Sequence, residues 1–89
     1  MLTTFADFAE AVKKNRDKFV AIPKEYLNED GKAMKELFVQ LDFDLNFADS
    51  AADMLQLIRT GSRYSEIDNA EAIRKLSVIE RSLEEIENR

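Results

Sequence analysis

Apolar residues recur every three or four positions along much of this 89-residue chain. An α-helix with that spacing carries its apolar side chains on one face, which it buries against other helices. The last segment, about residues 69–87, shows the spacing most clearly, because its apolar residues step by four and three as in a coiled-coil heptad. We call these residues the C-terminal seam: Ala72, Leu76, Ile79, Leu83 and Ile86.

The same spacing predicts further helices upstream, and particular residues mark their ends. Thr3 or Thr4 can cap a first helix, which ends near a run of cations. Pro23 suits the first turn of a short helix, and Gly61 is typical of the residue just after a helix. The first helix is predicted to end at about Lys18, the short one at Tyr26 or Leu27, and two others cover about residues 32–41 and 49–60.

These elements predict an all-α fold, a small helical bundle of three long helices plus one short helix, forming a single domain over residues 1–89. A hydrophobic content of 45% fits a packed domain and not a disordered chain. No apolar run approaches the ~20 residues needed to span a bilayer. The N-terminus also lacks a basic start followed by an apolar core, so we expect a cytoplasmic protein without membrane contact.

The acidic stretch at residues 41–53 admits a metal-site interpretation. Its oxygen-bearing side chains fall at the ligand positions of a twelve-residue calcium loop. Phe47 occupies the position where such a loop turns sharply and uses glycine, which disfavours calcium, and we predict no metal site. The ligands of that loop would be Asp42, Asp44, Asn46, Ser50 and Asp53.

Two other interpretations of this stretch concern the fold. Residues 41–47 alternate apolar and polar side chains as a strand does, and they could pair with residues 18–22 in a two-stranded ribbon, which would make the fold α+β. The favoured interpretation is a short connection between two helices. In it Phe43 and Leu45 enter the core, while Asp44 and its acidic neighbours face water.

The residue types that are missing limit the chemistry. The chain has no cysteine and no histidine. It therefore lacks thiol nucleophiles, disulfides and cysteine-ligated metal sites, as well as the commonest general base and metal ligand. We predict neither an enzyme nor a cofactor-binding protein.

The net charge of −5 is concentrated in residues 26–56, which carry two basic and seven acidic side chains. This predicts a protein–protein interaction module, such as an adaptor, inhibitor or immunity/antitoxin-like protein, that covers a basic partner. Direct nucleic-acid binding is disfavoured, and a nucleic-acid mimic would need more negative charge. The small size, acidity and lack of cysteine and histidine also resemble phage and mobile-element products, and we expect a protein of that kind. The predicted acidic face is Glu29, Asp30, Glu36, Asp42, Asp44, Asp49 and Asp53.

An alternative function uses the segment at residues 59–64. Arg59 and Arg63 flank a Thr-Gly-Ser sequence, and Tyr64 could stack on a base, so the three could bind a nucleotide or phosphate. This alternative fits a homo-oligomer, because the heptad spacing of the C-terminal seam is also suited to pairing with a second copy of the chain.

Overall fold

The computed structural model describes residues 4–89, and every regular element in that range is a helix. The all-α class and the helical bundle are confirmed. Four helices have ten or more residues in this range, one for each of the four longer segments placed from the spacing, so the predicted total of three long helices was one too few. None of the helices in the described part is long and apolar enough to cross a membrane. The elements are α1 (Phe5–Val20), a 3-10 helix (Lys24–Tyr26), α2 (Glu29–Leu45), α3 (Ala51–Thr60), α4 (Ser62–Ser65) and α5 (Ala70–Glu87).

Each long helix begins at a side-chain cap, in which an oxygen accepts a hydrogen bond from a backbone N–H three residues further on. Thr4 caps α1, Asn28 caps α2, Ser50 caps α3 and Asn69 caps α5. Thr3, the alternative cap of α1, lies outside the described residues. The short side chains that favour caps therefore set the start of every long helix.

Helix α2 is longer at both ends than predicted. It begins at Glu29 instead of about Lys32, and it ends at Leu45 instead of about Leu41. The strand and ribbon interpretation is wrong, because residues 41–45 are helical and residues 18–20 end α1. The calcium-loop interpretation needs a loop from Asp42 onwards, but residues 42–45 are the last turn of α2. Only residues 46–50 connect α2 to α3.

The core lies where two helix pairs meet. Helix α1 packs along α2, α3 packs along α5, and α2 also contacts α5. Leu37 and Leu41 of α2 are fully buried there, together with Met54 of α3 and Leu83 of α5. Helix α2 thus forms the centre of the bundle and leaves one face to the solvent.

The C-terminal seam packs inside this core. Ala72, Ile79 and Leu83 are buried, and Leu76 and Ile86 are half-buried against the same cluster. The seam therefore stabilises the chain's own fold. A homodimer formed through it would require α5 to leave the bundle.

Candidate functional site

Asp44 is the one charged residue that is buried in residues 4–89, with 3% of its surface exposed. Its Oδ2 accepts a hydrogen bond of 2.5 Å from the Tyr64 hydroxyl. Its Oδ1 accepts bonds from Nη1 of Arg63 at 2.9 Å and from Nε2 of Gln40 at 3.1 Å. A carboxylate out of water is tolerated only with such partners, because its desolvation is otherwise too costly.

The cluster joins α2 to α4. Gln40 and Asp44 are four residues apart and so share one face of α2, and Arg63 and Tyr64 are adjacent on α4. Gly61 brings α4 into place by close packing. A Cβ added at Gly61 would lie 2.4 Å from the carbonyl oxygen of Leu57 and 3.1 Å from the Tyr64 ring.

The Tyr64 hydroxyl is a fixed donor. Burial raises the pKa of Tyr64 well above its ordinary value, and the hydrogen bond to Asp44 and the negative charge of Asp44 raise the pKa further. The nearby Arg63 guanidinium lowers this pKa, but the other causes outweigh it. The phenol therefore stays protonated and holds Asp44 in its position.

Arg63 extends from the buried cluster to the surface. Its side chain is 53% exposed although one nitrogen is bound to Asp44. The guanidinium lies over the ring of Phe43, 5.5 Å from its centroid, a cation–π arrangement. The ion pair thus fixes a charged group above an aromatic ring.

Apolar side chains continue from Phe43 across the solvent-exposed side of α2. Val39 is one turn before Phe43, and Phe47 just beyond the helix lies 5.2 Å from Phe43 between ring centroids. Their exposed fractions are 41% for Val39, 50% for Phe43 and 69% for Phe47. We call Val39, Phe43, Phe47 and the Arg63 guanidinium the aromatic surface.

A groove of ≈ 700 Å³ lies beside the aromatic surface, between α2, the 3-10 helix and the segment around α4. Val39 and Arg63 belong to its wall, so the groove and the aromatic surface are continuous. Four basic and two acidic side chains line it. We call it the basic groove; its cations are Lys24, Lys32, Lys35 and Arg63.

The prediction that Asp44 faces water is wrong. Because α2 continues to Leu45, Asp44 falls three residues after Leu41 and seven after Leu37, on the buried face of the helix. Asp42 is on the edge of that face and forms an ion pair of 3.3 Å with Arg16 of α1.

Several other residues of the predicted acidic face have partners within the chain. Asp30 accepts a hydrogen bond from the Asn69 side chain, and the backbone N–H of Asp49 donates to Asp53 at 3.4 Å. Glu29 pairs with Lys32 at 3.5 Å, and Glu36 lines the basic groove. Within residues 4–89 no three acidic side chains are grouped as metal ligands would be.

The predicted phosphate-binding residues are separated in the structure. Arg59 forms ion pairs with Glu80 and Glu84 of α5. Arg63 instead turns towards α2, and the Tyr64 ring is buried. Tyr64 therefore has no free face for a base, and only Arg63 of the three belongs to the candidate site.

Phe43 and Phe47 are functional candidates that the sequence interpretation missed, and it was wrong to place Phe43 in the core. The i, i+4, i+8 spacing of Val39, Phe43 and Phe47 is the signal that marks them as one stripe. These residues lie on one helix face only if α2 extends to Leu45, beyond its predicted end at Leu41. Leu45, in contrast, packs against the core as predicted.

Comparison with protein-family models, with curated proteins and with solved structures found no match. A function is therefore assigned from the chemistry of the aromatic surface and the basic groove alone.

Proposed function

We propose that this protein is a non-enzymatic, cytoplasmic interaction module, an adaptor, inhibitor or immunity/antitoxin-like protein, that binds a protein partner through the aromatic surface. The decisive observation is that two phenylalanine rings contact each other at the surface, with half or more of each exposed. Contiguous exposed apolar groups are typical of binding sites, whereas apolar residues exposed singly are common on any folded surface.

The composition of the aromatic surface supports a protein partner. Aromatic residues and arginine are enriched where protein interfaces are buried and contribute a large share of binding energy. Phe43, Phe47 and Arg63 provide both residue types within one patch. A partner that covers them would desolvate the cation–π contact, which strengthens it.

Arg63 and Phe43 of the aromatic surface are held in place before binding. Asp44 holds the Arg63 guanidinium from inside the bundle, and Tyr64 and Gln40 hold Asp44. Phe43 lies on a helix whose opposite face is the centre of the core. Binding therefore immobilises few side chains, which lowers the entropy lost on association.

An interaction role fits the chemistry of the remaining side chains. The chain contains no histidine or cysteine to act as base or nucleophile. The buried Asp44 already accepts three hydrogen bonds, so its carboxylate is occupied by structural partners. The acidic residues support the role less than the sequence suggested, because several of them pair within the chain.

Site-specific photo-crosslinking in the source cells tests this function. A photoreactive residue replaces Phe47, and in a matched control it replaces Val78, which is 50% exposed on α5. We expect one protein to crosslink from position 47 and not from position 78. Equal yields of the same adduct from both positions, or no adduct from position 47, would contradict the proposal.

A further inference from the structure

We propose that the basic groove takes an acidic amphipathic helix of the partner protein, whose apolar residues pack on Val39 and Phe43 and whose carboxylates meet the lysines. This inference rests on the proposed function, since it adds the chemistry of the partner to the position of the interface.

Charge complementarity points to an acidic occupant. The groove collects four cations and two carboxylates in a chain whose net charge is −5. Lys32 and Arg63 have ion-pair partners in Glu29 and Asp44, but their side chains remain 45% and 53% exposed. Lys24 and Lys32 are exposed on opposite elements of its wall, the 3-10 helix and α2. Lys35 is held in the wall by donating to the carbonyl oxygen of Ile22 at 3.3 Å. Opposite charges on a partner would be steered into this groove.

The shape of the site suits a helix. The positions from Lys32 to Phe43 on α2 extend over about 17 Å of helix, which corresponds to about three turns of a docked helix. Apolar side chains of Val39, Phe43 and Ile67 accompany the cations. An amphipathic helix presents apolar residues every three or four positions and can place carboxylates beside them, as this mixture of side chains requires.

Phosphate-rich ligands fit the groove less well. Glu36 and Glu66 line it and would repel a dense negative charge, whereas the carboxylates of a helix can be spaced around them. The acidic chain as a whole also repels nucleic acid. The apolar wall would remain uncovered by a small anion.

Selection from an unbiased peptide display library identifies the preferred ligand chemistry. The immobilised full chain selects peptides of about 16 residues, long enough for about four helical turns. We expect enrichment of peptides with Glu or Asp beside apolar residues at helical spacing. Their affinity is then measured by fluorescence anisotropy, with scrambled peptides of the same composition as controls.

Two charge-reversal variants locate the binding. Lys24→Glu with Lys32→Glu should weaken the enriched peptides about tenfold or more, because it reverses two of the groove's charges. Lys13→Glu with Lys14→Glu on α1 makes the same change in net charge and should have little effect. Circular dichroism and a thermal melt establish that both variants are folded.

The remaining outcomes separate the two proposals. Neutral or basic peptides that lose binding on Phe47→Ser would overturn the acidic-helix inference and leave the aromatic surface as the interface. Acidic peptides that bind equally well when scrambled and are displaced by inorganic phosphate would assign a plain anion site and also overturn the inference. Failure to enrich any peptide that loses binding on Phe43→Ser would contradict both, as would self-association of the chain as the only binding detected.

Discussion

Two apolar stripes at helical spacing have opposite positions in this molecule. The C-terminal seam on α5 is buried within the core, with Leu83 fully buried. The other stripe, Val39 and Phe43 on α2 with Phe47 just beyond its end, faces the solvent. Periodicity in a sequence therefore identifies an apolar stripe, but it does not show whether the chain's own core or another molecule covers that stripe. A stripe that the fold leaves open is the better guide to function.

The largest expected difference between the two stripes is in stability. Leu83→Ala should lower the free energy of unfolding by about 3 kcal/mol, because it leaves a cavity in the core. Phe47→Ala should change it by no more than about 0.5 kcal/mol, because the ring is mostly in water. Urea unfolding followed by circular dichroism measures both. Similar losses for the two variants would show that Phe47 contributes to the fold and not to a free surface.

The buried cluster beneath the aromatic surface should give the next largest effect. Asp44→Ala should cost about 2–3 kcal/mol, because it leaves the Tyr64 hydroxyl without its acceptor and releases Arg63. Asp42→Ala, the matched control, removes a half-exposed ion pair and should cost less than about 1 kcal/mol. The same urea titrations compare them. If Asp42→Ala lowered the free energy of unfolding as much as Asp44→Ala does, the burial of Asp44 would not distinguish the two aspartates.

The cluster also predicts how stability depends on pH. The pKa of Tyr64 is raised in the folded chain, so at pH above the ordinary value of 10.0 the unfolded chain loses this proton while the folded chain keeps it. The stability from this group is therefore fully present below pH 10.0 and falls as the pH rises beyond it. Urea unfolding between about pH 9 and about pH 11 should show a decline that is smaller in Tyr64→Phe.

Phenolate absorbance gives an independent check of the same group. Tyr26 is the one other tyrosine of the chain and is exposed. In a Tyr26→Phe variant, the remaining phenol should ionise only as the protein unfolds in alkali. Ionisation of a folded Tyr26→Phe variant near pH 10 would contradict the buried hydrogen bond to Asp44.

A small stability effect is also expected at the cation–π contact. Phe43→Leu keeps an apolar side chain but removes the ring beneath Arg63, so it should cost about 0.5 kcal/mol at this exposed position. Partner binding should fall far more than stability does. A loss of stability comparable to that of Leu83→Ala would place Phe43 with the core and would remove the contrast between the two stripes.

Local sequence signals predicted the class and much of the core correctly. Helix periodicity identified the C-terminal seam, and cap preferences placed the start of the first helix at Thr3 or Thr4, of which Thr4 is the observed cap. These features depend on residues within one or two turns of each other. That is why a single sequence was sufficient for them.

The candidate site depended on contacts that are distant in the sequence. Asp44 meets its partners on α4 only 19 and 20 residues later, and nothing local distinguishes it from Asp42. Gly61 was interpreted as a helix end, which it is, but its close contact with the Tyr64 ring is a tertiary feature. Phe43 is exposed because α2 continues past it, and tertiary packing determines how far that helix continues.

The most direct test of the central claim compares two pairs of exposed apolar residues. The first double variant, Phe43→Ser with Phe47→Ser, alters the aromatic surface. The second, Ile73→Ser with Val78→Ser, alters two residues of α5 whose exposed fractions are 51% and 50%. The measurement is the amount of the crosslinked partner that co-purifies with each tagged variant. Loss of the partner from the first variant and its retention by the second is the predicted result. Retention by the first variant, or equal loss from both, would contradict the assignment of the aromatic surface as the binding site.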